Sequence, residues 1–231
     1  MRALLFILAG AIAVGALPST SMAGGTRSHV KGKRARAPAT KASCLRALDE
    51  LGVEYRRVKR RGIAIGVRIR GPLGGVDYRG YDKRPLDIDC SLAVSLAVAG
   101  RFLTSHGIDS ATYSSAYQIR NIRGTRRRSQ HSFGLAIDVH LFSGEESGAL
   151  SIKEDYEQGL GDEIDCIGQP ATQAGAALRE IDCQLHHSGL FRYILDPDHD
   201  AGHYNHFHIE ARPWRERDDV GTNWRMFRPV G

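Results

Sequence analysis

The chain has 231 residues, 42% of them apolar and 25% charged, which is enough for one domain of ordinary size with a real core and a tail. It carries 32 Lys+Arg against 26 Asp+Glu, but Arg2, Arg27, Lys31, Lys33, Arg34, Arg36 and Lys41 account for seven of the basic residues, leaving 25 against 26 elsewhere. The basic balance therefore belongs to the amino-terminal tail, the domain is near neutral, and no apolar run is long enough to span a membrane.

Met1-Arg2 is a short positive start, Ala3 to Leu17 an apolar run, and Ser21-Met22-Ala23 offers small residues where a signal peptidase reads. Residues 1–23 are thus expected to be a secretory signal cleaved after Ala23, without a lipoprotein cysteine, which places the mature protein in the periplasm or outside the cell. Residues 24–43 are basic, free of acids and too polar for a core, and are expected to be a disordered linker. On a secreted chain such a tail suits anionic wall polymers or lipid head groups, or is a solvated linker without a partner; no nucleic-acid partner is expected.

Ser43 is the expected cap of a helix from Cys44 to Leu51, stopped by Gly52. Ile63 to Ile69 alternates apolar with other residues and predicts a strand; Gly71 to Gly75 predicts a loop. Asp87-Ile-Asp89-Cys90 opens a second helix, Ser91 to Ser105, whose wide apolar face marks it as the buried central helix despite Gly100 inside it. A strand from Ala111 to Ile119 leads into the basic loop Arg120 to Arg128. Leu135 to Phe142 is strand-like, Ser143 to Gly148 a turn, and Leu150 to Lys153 a short strand. Asp155 to Pro170 is Gly- and acid-rich, a loop at the rim. Ala171 to His186 is a helix, Phe191 to Leu195 a strand, Asp196 to Gly202 a loop and His206 to Ala211 the last strand. Strands and helices are segregated, so residues 44–231 are expected to form one α+β domain with a mainly antiparallel central sheet flanked by helices.

Cys44, Cys90, Cys166 and Cys183 are the only cysteines, and all lie in the exported part. An even count in an oxidising compartment favours two disulfides. Sequence alone permits three pairings; Cys44 and Cys90 each begin a helix and are expected to pair, which leaves Cys166 with Cys183, and no Cys-x2-Cys supports a cysteine zinc site.

The densest chemistry lies in Ser129-Gln-His131-Ser-Phe-Gly134-Leu-Ala-Ile-Asp138-Val-His140 and His203-Tyr-Asn-His206-Phe-His208, which hold five of the ten histidines. Two imidazoles and one carboxylate suit zinc, and a catalytic zinc keeps three protein ligands and one open position. His131, Asp138 and His208 are the candidate ligands. His206 and His208, two apart on a strand, point to one side, so that one can ligate while the other faces the metal's water. The same ligand types serve non-haem iron oxygenases, a reading that the extracellular context disfavours. His29, His106, His186, His187 and His199 lack ligand spacing and are read as hydrogen-bonded structural residues.

Ser-x-His-x6-Asp followed far downstream by His-x-His resembles the zinc site of the LAS metallopeptidases, the group of lysostaphin, D-Ala-D-Ala carboxypeptidase and hedgehog-like folds. Within it the chain is most similar to bacterial proteins with an extensin-like C-terminal domain, over about Cys44 to Arg212. His203-x-x-His206-x-His208 also resembles the penicillin-insensitive murein endopeptidases. The resemblance implies a hedgehog/DD-peptidase-like zinc fold and a secreted hydrolase of peptidoglycan peptides, either an endopeptidase or a carboxypeptidase, with the His203 spacing favouring the former. Extensin-like domains usually show Tyr-x-Cys-Arg before the metal motif; here it is Tyr117-Gln-Ile119-Arg120, so that family's third cysteine is missing, and the resemblance makes Cys166 its expected replacement.

A zinc with three ligands activates water for amide hydrolysis, and the expected general base is His206. With no HExxH in the chain, Glu210 is expected to support His208 rather than to act as base. His203 is expected to donate to the oxyanion or to orient His206. Arg120 would do the same or hold a substrate carboxylate, and Ser129 and Tyr117 are candidate substrate-binding residues. Two other classes stay open: a zinc-bearing module that binds wall peptides without turnover, and a structural zinc protein in which His206 is a fourth ligand.

Overall fold

The computed structural model describes residues 40–160, 166 and 168–216, so the signal segment and nearly all of the basic linker lie outside the described residues. The first element, α1 (Lys41–Glu50), starts earlier than its composition suggests. Its cap is Thr40, whose hydroxyl accepts from Ser43 N (3.1 Å) while Ser43 Oγ accepts from Thr40 N (2.9 Å). Ser43, expected as the cap, thus closes a reciprocal capping box from the third position.

The centre of the domain is α2 (Cys90–Ser105). Cys90 to Gly100 and Leu103 are all buried, as a helix apolar on every side must be. Asp89 caps it, accepting from Ser91 N (2.9 Å) and Ser91 Oγ (2.6 Å). Gly100 has a packing reason: a Cβ there would stand 2.2 Å from the carbonyl oxygen of Leu73, so only glycine lets that loop cross the helix. The Cys44–Cys90 disulfide ties α1 to the first turn of α2, and Cys166 pairs with Cys183, as the cysteine pattern indicated.

Two sheets flank these helices. In the smaller, β1 (Tyr55–Arg57), β2 (Gly66–Ile69) and β4 (Asp87–Asp89) run antiparallel in that order. The larger contains β3 (Asp77–Gly80), β5 (Ser110–Ser115), β6 (Ala136–Gly144), β9 (Phe207–Ala211) and β8 (Phe191–Leu195), in that order, and β7 (Gly148–Ser151) pairs with the far half of β6. Among the described residues only β3 and β5 are parallel, so the architecture is α+β with mainly antiparallel sheets. The short α3 (Ile152–Asp155) replaces the end of the strand expected at Leu150 to Lys153, and α4 (Gln173–His187) packs on β8.

Several expected boundaries move. Asp87-Ile-Asp89 is a strand rather than the opening of a helix, because Asp87 is fixed by Arg68 (2.5 and 2.8 Å) and Arg60 (2.7 Å) beside the register pair Arg68 and Asp87. The strand expected over Ala111 to Ile119 stops at Ser115, where the bulged pairing with β6 ends. The one expected over Ile63 to Ile69 starts only at Gly66.

Along β6 and β9 the two-residue alternation divides the sheet. Ile137 pairs with Ile209 and Val139 with Phe207, all buried, while Asp138 pairs with His208 and Ala136 with Glu210 on the other face. α2 packs against β9, so the apolar face has its cover. No helix among the described residues is long and apolar enough to cross a membrane.

Candidate metal centre

Asp138 and His208 sit side by side because they are directly opposite each other in the β6–β9 ladder. His131 reaches them from a 3-10 turn, Gln130–Phe133, which ends at Gly134 in the left-handed region (φ 65°). A Cβ at 134 would meet the Asp89 backbone nitrogen at 2.8 Å, so that turn needs glycine twice over. Ser129 Oγ caps the turn, accepting from His131 N at 3.4 Å.

The three side chains converge through one atom each. His131 Nε2 lies 3.1 Å from Asp138 Oδ1 and 3.2 Å from His208 Nδ1, and His208 Nδ1 lies 2.8 Å from Asp138 Oδ1. Ligand atoms held about 2.0–2.1 Å from a tetrahedral zinc stand about 3.3–3.4 Å apart, so this triangle is close to what such an ion needs. The far ring nitrogens are also turned correctly. His131 Nδ1 faces the Ala116 carbonyl (3.4 Å), which can only accept, so a proton placed there would free Nε2 to ligate an ion. His208 Nε2 faces Glu210 Oε2 at 3.8 Å, the supporting carboxylate expected from sequence. Among the described residues His131, Asp138 and His208 form a donor set whose ligand atoms all lie within 4.8 Å of one another, and the residues present fit a zinc ion.

Burial opposes ionisation of Asp138, yet the bonds from His131 and His208 outweigh it and hold the carboxyl far below the usual carboxylate range. Burial likewise disfavours charge on His208, but its bonds to Asp138 and Glu210 raise its pKa to about 9. Without a metal, then, a proton occupies the triangle, and binding an ion must displace it.

His206 stands just outside the triangle. It immediately precedes β9 rather than lying in it, with Nε2 3.6 Å from Asp138 Oδ1 and Nδ1 donating to Asn205 Oδ1 at 2.9 Å. Burial, assisted by the neighbouring His140, His203 and His208, pushes its pKa down to about 4 against the pull of Asp138, so the ring is neutral at neutral pH with Nε2 available. His203 packs on it at 5.1 Å between ring centroids and is oriented by Asp200 Oδ1, 2.8 Å from its Nδ1. His140, one pleat along from Asp138, donates to the Asn205 carbonyl (2.9 Å) and so holds the His203–His206 turn. The loop before that turn is fixed by buried Asp196, which accepts from Asp198 N (2.7 Å) and His199 N (3.2 Å).

A cavity of about 730 Å³ opens over the triangle. Asp138, His203, His206, His208 and Glu210 line it together with Ser129 and Arg120, whose Nη2 is 3.7 Å from Asp138 Oδ2. The sequence-derived site residues are thus brought together, with one exception. Tyr117 faces another part of the surface, where its hydroxyl donates to the Arg61 carbonyl (2.9 Å), so its candidate role in the cleft is withdrawn. Missed from sequence were Arg192, which reaches Glu210 (3.8 Å) from β8, together with Asp200, Asn205 and His140. Of these only His140 had a local signal, its spacing of two from Asp138. Of the histidines read as structural, His186 stands 3.5 Å from Asp182 and 3.9 Å from Asp196, away from the cleft.

No curated protein and no solved structure matches the chain. The family model described as "Extensin-like protein C-terminus" matches residues 42–218, a span that runs from the second residue of α1 past β9 and takes in all the residues of the cleft, and the chain belongs to that family.

Proposed function

We propose that the protein is a secreted zinc-dependent hydrolase of peptidoglycan peptides, a D-amino-acid endopeptidase or carboxypeptidase with a hedgehog/DD-peptidase-like site. The observation that carries this reading is the triangle of His131 Nε2, Asp138 Oδ1 and His208 Nδ1, of which Asp138 and His208 line an open cavity beside His206. Two disulfides fit an oxidising compartment, where wall peptides are at hand.

His131, Asp138 and His208 would hold the ion, and a zinc so held supplies a Lewis acid and lowers the pKa of water to about 7. His206 accepts the proton of the attacking water at Nε2, its Nδ1 being committed to Asn205. His203, oriented by Asp200, and Arg120 donate to the oxygen that gains charge as the amide is attacked. Ser129 keeps the His131 turn in place, and its hydroxyl proton remains available to a substrate group in the cleft.

The test is to incubate the purified mature protein with muropeptides, with and without a chelator, and to read product masses. Metal-dependent loss of D-alanine or splitting of cross-links supports the proposal. Intact peptides, with zinc still bound, would instead favour a wall-binding module without turnover.

A further inference from the structure

The segment from Arg120 to Ser129, which the sequence shows only as a basic loop, is a small hairpin. Ser129 N donates to Arg120 O (3.1 Å) and Ile122 N to Arg127 O (2.8 Å), Asn121 and Arg128 form an antiparallel bridge, and Gly124 takes the turn at φ 74°. Ser132 fastens its base to the His131 turn, accepting from Arg120 N (2.9 Å) and donating to Arg120 O (2.7 Å). The hairpin is therefore held in register with the metal triangle.

Its charges have no counterpart among the described residues. Arg123, Arg127 and Arg128 line the cavity, are exposed, and have no carboxylate partner among the described residues. The three acids lining the same cavity are already engaged: Asp138 by His131 and His208, Asp200 by His203, and Glu210 by His208 and Arg192. Arg120 adds a buried Nε without a hydrogen-bond partner among the described residues. Like charges gathered on one short hairpin repel, and guanidinium forks match carboxylates bidentately, so an anionic ligand relieves the repulsion and satisfies the donors together.

We propose that this hairpin is a carboxylate clamp and that the cleft takes a peptide carrying at least two free carboxylates, bound by Arg123, Arg127 and Arg128. The proposal rests on the hydrolase reading only for the placement of the scissile amide at the triangle. Stem peptides with free side-chain and terminal carboxylates have this chemistry; their amidated forms lack it.

The test uses binding rather than turnover. A fluorescent stem tetrapeptide with free carboxylates, and the same peptide amidated, are titrated against the chelator-treated full mature chain, which leaves both uncleaved. The free form is expected to bind about 10- to 100-fold more tightly, as charge-assisted bonds warrant, with the preference shrinking as salt rises. Combined Arg123→Gln, Arg127→Gln and Arg128→Gln should erase the preference while leaving the melting temperature and the weak binding of the amidated peptide unchanged. Arg126→Gln, on the same hairpin but not lining the cavity, should keep it. Equal binding of the two peptides overturns the clamp, and so does an equal loss in the Arg126 variant, which would mean diffuse charge. Tighter binding of poly(glycerol phosphate), lost in the triple variant, would assign the hairpin to a phosphodiester polymer instead. Absence of cleavage in the muropeptide assay would count against the hydrolase and leave this result standing.

Discussion

Replacing His206 by alanine should separate turnover from metal binding, whereas replacing His208 should abolish both. His208 Nδ1 is one corner of the donor triangle, at 2.8 and 3.2 Å from the other two; without it only His131 and Asp138 remain, and zinc should be lost together with activity. His131→Ala and Asp138→Ala should behave alike. His206 comes within 3.6 Å of Asp138 Oδ1, but it is not part of the set whose donor atoms all lie within 4.8 Å of one another. It therefore does not complete a tetrahedron with edges of about 3.3–3.4 Å, and His206→Ala should keep about one zinc per chain. A general base contributes about 10²–10⁴ to the rate, or about 2.7–5.4 kcal/mol of barrier, and that is the expected fall in kcat. Metal content by mass spectrometry and product formation from muropeptides are measured on the same preparations. If His206→Ala emerges without zinc, His206 is a fourth ligand and the site is closed; if it keeps both zinc and full turnover, the base lies elsewhere.

Other perturbations follow from the scaffold. Closing the 46-residue span between Cys44 and Cys90 should contribute about 4 kcal/mol by restricting the unfolded chain, so a reductant should lower the denaturation midpoint, and the denatured, unreduced protein should titrate no free thiols. Burial works against ionised Asp87, but its bonds from Arg68 and Arg60 prevail and hold its pKa below the ordinary value. A depressed folded pKa gives stability that is present above the unfolded value, about 3.9, and lost as pH falls through the folded one. Asp87→Asn should accordingly cost about 1.5–3 kcal/mol at pH 7, with a smaller deficit at pH 3, and equal deficits in urea denaturation at the two pH values would refute the assignment. Deleting residues 24–39 should leave hydrolysis of small muropeptides intact but weaken retention on whole anionic sacculi at low salt; unchanged retention would remove the proposed role of the basic tail.

The local signals worked where a pattern was long or chemically specific. The wide apolar face between Leu92 and Leu103 announced α2, and Phe191 to Leu195 was read with the bounds it has in the structure. The clustering of the three candidate donors was legible because strand alternation and the Gly134 turn constrain where His131, Asp138 and His208 can point before any tertiary contact is known. Three strands were not legible. β1, β3 and β4 hold three or four residues each, Tyr-Arg-Arg, Asp-Tyr-Arg-Gly and Asp-Ile-Asp, too short for periodicity and too charged for strand propensity; they exist because a neighbour supplies the ladder or an ion pair.

By itself, then, the sequence determined the buried helix, the expectation of two disulfides, the alternation that separates core from site on β6 and β9, and the donor types that suit a metal. Only the tertiary structure decided that Asp138 and His208 stand in register across 70 residues of chain, that Tyr117 turns away to the Arg61 carbonyl, and that the arginines after Ile119 fold back as a hairpin over the triangle. The reason is the range of the forces. Side-chain direction and burial preference are set within a few residues by backbone geometry, whereas register and the pairing of charges depend on segments far apart in the chain, whose meeting no local pattern records.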